Sequence, residues 1–320
     1  MKIVFMGTPD FAVMSLISII RAGHDVAAVF TQPDKPKNRG QRISESPVKK
    51  CAASMGIKIC QPVSLRKGDD AKESIGLLKS LSPDCIVVAA YGQILPCEIL
   101  DLPKYGCINV HASLLPLYRG ASPINSCILN GSSESGVTIM KMAEGLDTGD
   151  VMLFEKTDIP FNMTASRLHD ILMNMGADLV VKALEKLENG TAVFTPQDDR
   201  KSTYAPMINK KDCLIDWHRP SKELYNMIRG LSESPGAYTF LKEKRLKIFF
   251  AKISEIKSFD KPGTIIYIWS KDFKVLCGAG ALTLTDIQLE GSARMSAENF
   301  LRGKKLTAGM VLGGGNNEDN

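Results

Sequence analysis

Histidine is scarce in this sequence, with four among 320 residues, and no two of its eight cysteines stand in a C-x-x-C pair. The cysteines fall at 51, 60, 85, 97, 107, 127, 213 and 277, a spacing that does not suggest a local zinc site. Several sit inside apolar, strand-like stretches, where free thiols behave as small buried hydrophobes. Long apolar runs are also missing: stretches such as Ile86–Ala90 fall far short of the roughly 20 residues that cross a bilayer. The opening "MKIVFMGTPDF" holds one lysine and a short apolar run, then Gly-Thr-Pro-Asp, which reads as a first strand and turn, not a secretory signal. A cytoplasmic location is the expectation. That turn carries Gly7 alone where a dinucleotide fold would show G-x-G-x-x-G, so nicotinamide binding is unsupported. There is no internal repeat.

What is present describes a globular chain, 44% hydrophobic and 23% charged, long enough that two domains are expected. Its net charge of +5 is unevenly distributed. Residues 1–60 hold 9 Lys and Arg against 4 Asp and Glu, residues 61–208 hold 13 against 18, and residues 209–320 hold 18 against 13. Basic ends around an acidic middle suggest a polyanionic partner gripped at the edges of a central site.

The first half alternates apolar strands with helical patterns. Strands are expected at Ile3–Met6, Val26–Phe30, Ile86–Ala90, Ile108–His111 and Val137–Met142. Helices are expected at Phe11–Ala22, Val48–Met55, Ala71–Leu81, Pro123–Leu129 and Thr164–Leu187. Such alternation predicts an α/β fold, a doubly wound, Rossmann-like, mostly parallel sheet over residues 1–189. Residues 190–208, with two prolines and little periodicity, read as a linker. Residues 209–320 read as one short helix followed by five strands, Ala237–Leu241, Leu246–Ile253, Gly263–Trp269, Lys274–Cys277 and Ala281–Gln288, which fits an OB-like β-barrel. The tail "GGGNNEDN" is expected to move freely.

Asn109 and His111 are two apart on a strand, so both side chains leave the same face, at the carboxyl end where open α/β sheets bind ligands. Asp147, in "EGLDTGD" between Gly145 and Gly149, sits on a loop free to approach a strand end. A carboxylate beside an imidazole sets its tautomer and favours its charged form, and an asparagine donates to developing oxyanion charge. Together they would make an acyl-transfer site that needs neither a nucleophilic side chain nor a metal. A lone strand histidine is often structural, however, and position alone leaves both roles open.

"MGTPDFA", "YGQILP", "CINVHASLLPLYRGASPI", "GVTIM" and "EGLDTGDV" closely resemble the methionyl-tRNA formyltransferase family, in order, from Met1 to about Val311. The resemblance implies an enzyme that moves a formyl group from 10-formyltetrahydrofolate to initiator Met-tRNA, with Asn109, His111 and Asp147 as the catalytic trio. It implies that Ser113, Leu114, Leu115 and Pro116 contact the folate. It also implies that the Tyr91–Pro96 segment, with Tyr91, Gly92, Ile94 and Leu95, helps enclose the pterin. On this reading the methionyl amine attacks the formyl carbon directly, with no covalent enzyme intermediate and no metal, and a monomer is the expectation. The trio is shared with glycinamide ribonucleotide and sugar-nucleotide formyltransferases, so a sugar nucleotide is the alternative acceptor. An inactive RNA-binding protein on the same scaffold is another alternative. Two features favour tRNA. "DKPKNRGQRISESPVK" carries Lys35, Lys37, Arg39 and Arg42 with no acid between Asp34 and Glu45, and relatives send a similar basic loop into the acceptor stem. "KEKRLK" at Lys242–Lys247 suits phosphates. The chain departs from relatives at Leu117-Tyr118-Arg119-Gly120, where "RWRG" is common, and at Gly230-Leu231-Ser232-Glu233-Ser234-Pro235 after "IR". These departures touch rim contacts to tRNA rather than the chemistry.

Overall fold

The apolar strand β1 (Lys2–Gly7) lies inside a seven-stranded sheet in the computed structural model, which describes residues 1–37, 42–256, 258–303 and 306–313, with backbone alone at 36, 37, 42 and 43. Contacts divide the chain into two units. The first holds Met1–Pro123, Glu134–Asp158 and His169–Ala205; the second holds Ile124–Ser133, Ile159–Leu168 and Pro206–Asn320.

In the first unit, β1 leads through α1 (Asp10–Arg21) to β2 (Asp25–Phe30). A short antiparallel hairpin of β3 (Lys35–Lys37) and β4 (Arg42–Ser44) follows, then α2 (Pro47–Ser54) and β5 (Ile59–Cys60). Ser46 caps α2 by accepting from the Lys49 amide at 3.0 Å, with Pro47 in the first helical position. Next come α3 (Asp69–Leu81), β6 (Cys85–Ala89), α4 (Cys97–Leu100), β7 (Cys107–His111) and the two-residue β8 (Arg119–Gly120). After α5 (Pro123–Leu129), which from Ile124 onward belongs to the second unit, the first unit adds β9 (Glu134–Lys141), β10 (Val151–Asp158), the long helix α6 (Ala165–Glu188) from His169 onward, and β11 (Tyr204–Ala205). The sheet order is β10-β9-β7-β6-β1-β2-β5. It is parallel from β5 to β7, while β9 and β10 pair antiparallel at one side.

Strands β6 and β7 are buried along their whole length because helices cover both faces, so they read as unbroken apolar runs instead of alternating ones. Val4, Met6, Phe30, Ile86, Val88 and Cys107 share one core with Leu78 of α3 and Ile99 of α4. On the other face, Gly176 of α6 lies against Val110 and Val137. Five of the cysteines are buried and all eight are free. Strand β10 was not expected, because an edge strand ending in "EKTD" has neither an apolar run nor clean alternation.

Residues 190–205, part of the stretch 190–208 read as a linker, pair with strands of the first unit. Thr195 exchanges backbone hydrogen bonds with Val151 at 2.9 and 2.8 Å, and β11 pairs in parallel with β8. Backbone groups satisfied by distant strands keep an aperiodic segment ordered, and such pairing leaves no local pattern.

The second unit holds α7 (Ser221–Leu231), then β12 (Ala237–Leu241), β13 (Lys244–Ser254), β14 (Ile265–Ile268), β15 (Phe273–Leu276) and β16 (Ala281–Leu289). The short β17 (Met295–Ser296) and α8 (Ala297–Gly303) complete it. The five expected strands are present, in an antiparallel sheet of order β12-β13-β16-β15-β14 with β17 paired to β16. Register shifts near Phe250 mark bulges in β13, which bend and twist a long strand. Arg229 of α7 is buried and bonds the Asn226 side chain at 2.9 Å and the Met163 carbonyl at 3.1 Å; burial holds its guanidinium below its ordinary pKa. Among the described residues, no helix is long and apolar enough to cross a membrane.

Gly7 ends β1 where a Cβ would stand 2.7 Å from the Phe5 ring, 2.8 Å from the Ala12 Cβ and 3.1 Å from the Ala89 carbonyl. The single glycine of the first turn is therefore required by close packing of α1 on the sheet. Gly7→Ala is expected to cost about 1–3 kcal/mol through overpacking, read as a lower midpoint in urea unfolding.

Candidate active site

Asn109 and His111 alternate with Ile108 and Val110 along β7, and they leave the face that also carries Cys107. Asn109 stands opposite Val88 of β6, and His111 opposite Thr138 of β9. They are 8% and 5% exposed, deep for polar side chains.

His111 Nε2 donates to the Tyr118 carbonyl at 3.0 Å, which requires a hydrogen on that nitrogen. Nδ1 faces Asp147 Oδ2 at 3.6 Å. With Nε2 protonated, a bare Nδ1 would turn its lone pair toward a carboxylate. His111 and Asp147 form an ion pair only when the imidazole carries a proton on both nitrogens.

Both of those acceptors are held by unusual backbone. Tyr118 and Asp147 have φ of 60° and 53°, a left-handed conformation that costs a non-glycine residue about 1–3 kcal/mol. Thr203 restrains Tyr118: its Oγ1 accepts from the Tyr118 amide at 2.8 Å and its carbonyl from the Arg119 amide at 2.9 Å. Asp147 Oδ2 also accepts from the Gly120 amide at 2.8 Å. A Cβ at Gly120 would lie 2.7 Å from the Ala205 carbonyl, so only glycine lets β8 and β11 approach this closely. The Gln197 amide donates to the carbonyls of Asp147 and Gly149 at 2.9 and 2.6 Å. Arg119, itself buried, fixes the other end of Gln197 at 2.8 and 3.1 Å and pairs with Asp199 at 2.7 Å. Asn109 is different: no hydrogen bond among the described residues engages its side-chain amide.

The loop after β7 is fixed by Thr138. Its hydroxyl donates to the Ser113 carbonyl at 2.7 Å and accepts from the Leu115 amide at 3.1 Å. Ser113 is buried and its hydroxyl donates to the Leu117 carbonyl at 2.6 Å, so it is occupied internally. Leu114, Leu115 and Pro116 are half-buried and Leu117 is exposed, an apolar surface suited to a flat ring. The Tyr91–Pro96 segment divides. Tyr91 and Leu95 belong to the core of the first unit, while Gly92 and Ile94 are exposed. Thr8 Oγ1 holds this segment by donating to the Tyr91 carbonyl at 2.8 Å. Among the described residues, no group of three or more His, Cys, Asp or Glu could hold a metal.

Of the basic loop, Lys35 is exposed and the β3–β4 backbone at Lys37 and Arg42 is described, whereas Arg39 lies outside the described residues. The two ends of the hairpin meet at Lys49, whose ammonium bonds Asp34 at 2.5 Å and Glu45 at 3.3 Å. Hydrogen bonds from Lys49 and then Gln61 hold the Asp34 carboxyl below its ordinary pKa.

Sequence reasoning named Asn109, His111 and Asp147 but not the groups that hold the His111–Asp147 pair. Thr203 and Gln197 lie in the stretch read as a linker, and the Tyr118 carbonyl and Gly120 amide are backbone groups without a residue signature. The arginine beside glycine in "LYRG" was the one visible signal.

Residues 1–184 match the formyl transferase family, and residues 207–305 match the family described as formyl transferase, C-terminal domain. The chain is 48% identical over 313 residues to a methionyl-tRNA formyltransferase of Citrifermentans bemidjiense, covering 98% of this chain and 96% of that one. It is 48% identical over 312 residues to the protein of that name from Clostridium novyi, covering 98% and 100%. Among solved structures, an N-formyltransferase of Helicobacter canadensis in complex with folinic acid and dTDP-3-aminofucose has a similar fold. Its TM-score is 0.62 at 21% identity, with 92% of this chain and 100% of that one covered. HypX from Aquifex aeolicus in complex with tetrahydrofolic acid gives a TM-score of 0.62 at 18% identity over 93% of this chain, which spans about half of HypX, 46%.

Gln197→Leu removes the donor that two loop carbonyls share. Amide exchange at Gly120 and at residues 148–150 is then expected to rise about tenfold or more, the loss of roughly 1.4 kcal/mol of local stability. Mass-spectrometric hydrogen exchange against the parent protein checks this, and unchanged protection would mean that Gln197 does not hold the Asp147 loop.

Proposed function

The chain belongs to the formyl transferase family, and from that membership we propose that it transfers the formyl group of 10-formyltetrahydrofolate to the α-amino group of methionine on initiator Met-tRNA, in the cytoplasm. The observation that carries the reading is the free side-chain amide of Asn109 beside the His111–Asp147 pair at the carboxyl end of β7.

Formyl transfer between two nitrogens needs charge stabilisation on the formyl oxygen and a proton moved from the attacking amine to the departing one. Asn109 supplies the neutral N–H donor for that oxygen. Charged His111, with Nε2–H already directed at the Tyr118 carbonyl, supplies positive potential in a water-poor site, where it counts for more than in solvent. Asp147 keeps that charge in place and, through a water, passes the amine proton toward N10 as the C–N10 bond breaks. Leu114, Leu115 and Pro116 offer the apolar side of the folate site, with Ser113 fixing the loop beneath them; of the Tyr91–Pro96 segment, Gly92 and Ile94 are open to the pterin while Tyr91 and Leu95 anchor the segment in the core. Lys35, Lys37, Arg39 and Arg42 follow phosphates of the tRNA acceptor stem, presented from the neck that Lys49 closes.

The test is formyl transfer from 10-formyltetrahydrofolate to charged initiator tRNA, run beside free methionine and an amino-sugar nucleotide. Transfer to the sugar nucleotide alone would overturn the tRNA reading. Asn109→Ala and His111→Ala are each expected to lower kcat by about 10²–10⁴-fold with the fold intact; near-normal turnover by either folded variant removes that residue from the mechanism.

The basic loop gives a separate expectation. Replacing Arg39 and Arg42 together by alanine should raise KM for Met-tRNA and flatten its salt dependence by about one unit of slope per lost phosphate contact, while folate affinity is unchanged. Normal use of Met-tRNA at physiological salt would make the loop a solvated surface.

A further inference from the structure

On the sheet of the second unit, Tyr267 of β14, Lys274 of β15, Thr283 of β16 and Lys252 of β13 stand opposite one another in register. Directly opposed residues of antiparallel strands share a face. Alternation adds Trp269 next to Tyr267 and Ser254 next to Lys252, with the Ser254 and Thr283 hydroxyls 3.1 Å apart. The other side of these strands is core, through Ile265, Phe273, Val275 and Leu282.

The outward face is aromatic and cationic. Tyr267 and Trp269 are 51% and 46% exposed, and their rings stack with centroids 5.5 Å apart at 24°. Lys274 Nζ lies 4.9 Å from the Trp269 centroid and 5.9 Å from that of Tyr267. Lys271 adds a charge in the β14–β15 turn, where Asp272 is the one acid. No ion pair among the described residues engages Lys252, Lys271 or Lys274.

We infer that this face binds an unpaired stretch of the tRNA, with a base stacked on Tyr267 and Trp269 and neighbouring phosphates on Lys252 and Lys274. The inference rests on the reading of the protein as a tRNA enzyme and adds a second contact to it. Charge complementarity selects the occupant. Exposed aromatic faces flanked by cations match a base joined to phosphate, since every base has a π-face and stacking tolerates any sequence; Thr283 is buried beneath the row. An apolar protein partner would have to bury the ammonium that sits over both rings. The face is distinct from the Lys242–Lys247 stretch, which lies on the β12–β13 hairpin at the other end of the strand order.

The two tryptophans make the test direct. Trp217 is buried and its Nε1 bonds Thr239 at 3.0 Å, so Trp269 is the emitter that solvent and ligand reach. Deacylated initiator tRNA should quench this emission, oligouridylate should compete, and a blunt RNA duplex of equal length should not. Tyr267→Ala and Trp269→Ala should each weaken tRNA binding about 5- to 150-fold. Lys252→Ala and Lys274→Ala should each lower the salt slope by about one. Three outcomes overturn the inference: tRNA binding by anisotropy of labelled tRNA with unaltered Trp269 emission, unchanged affinity in both aromatic variants, or a self-association of the protein that Trp269→Ala abolishes. If formylation of Met-tRNA persists without quenching, this face fails alone. If quenching and affinity hold while no formyl transfer occurs, the enzymatic reading fails and the RNA face stands.

Discussion

A buried imidazole with an acceptor at each ring nitrogen is the constraint around which the loops of the first unit are arranged. At 5% exposure His111 has little solvent around its ring, and protein groups stand at both nitrogens. The Tyr118 carbonyl meets one and the Asp147 carboxylate faces the other. Each acceptor reaches its position from a left-handed residue. Such backbone would relax without restraint, and the restraint comes from Thr203, Gly120 and Gln197, none of which touches the imidazole through its own side chain.

Magnitudes show why several restraints are needed. Two strained residues cost about 1–3 kcal/mol each. The amides of Tyr118, Arg119, Gly120 and Ala121 and the two bonds from Gln197 give six hydrogen bonds around them. At about 1 kcal/mol net each, these offset the strain, which totals about 2–6 kcal/mol. A site balanced in this way is stiff only while its network is complete, because each lost donor also leaves a buried carbonyl unsatisfied. Arg119 matters here through Gln197, not through the reacting atoms.

The second unit uses a different physics. Its core side is an apolar antiparallel sheet with α7, while its outer face retains aromatic rings and ammonium groups that the core has no use for. The bulges in β13 and the register across four strands bring Tyr267, Lys274, Thr283 and Lys252 into one row. Nothing in their sequence positions announces that row.

Much of this protein was determined by its sequence alone. Runs such as "CIVVA" and "CINVH" specify buried parallel strands because helices cover both faces, and the two-residue spacing of Asn109 and His111 specifies a shared face because strands alternate. The family motifs named Asp147, and short alternating runs located the five strands of the second unit. Tertiary structure alone decided what surrounds the trio. It turned residues 190–205 from an expected linker into the strand and glutamine that hold the site, split Tyr91 and Leu95 from Gly92 and Ile94, and engaged His111 Nε2 on a backbone carbonyl. The physical reason is clearest for the loops around the His111–Asp147 pair. Periodicity and capping act over a few residues and leave a mark in the sequence, whereas backbone donors and acceptors look alike in every residue, so their pairing across 27 to 85 positions is written only in the fold.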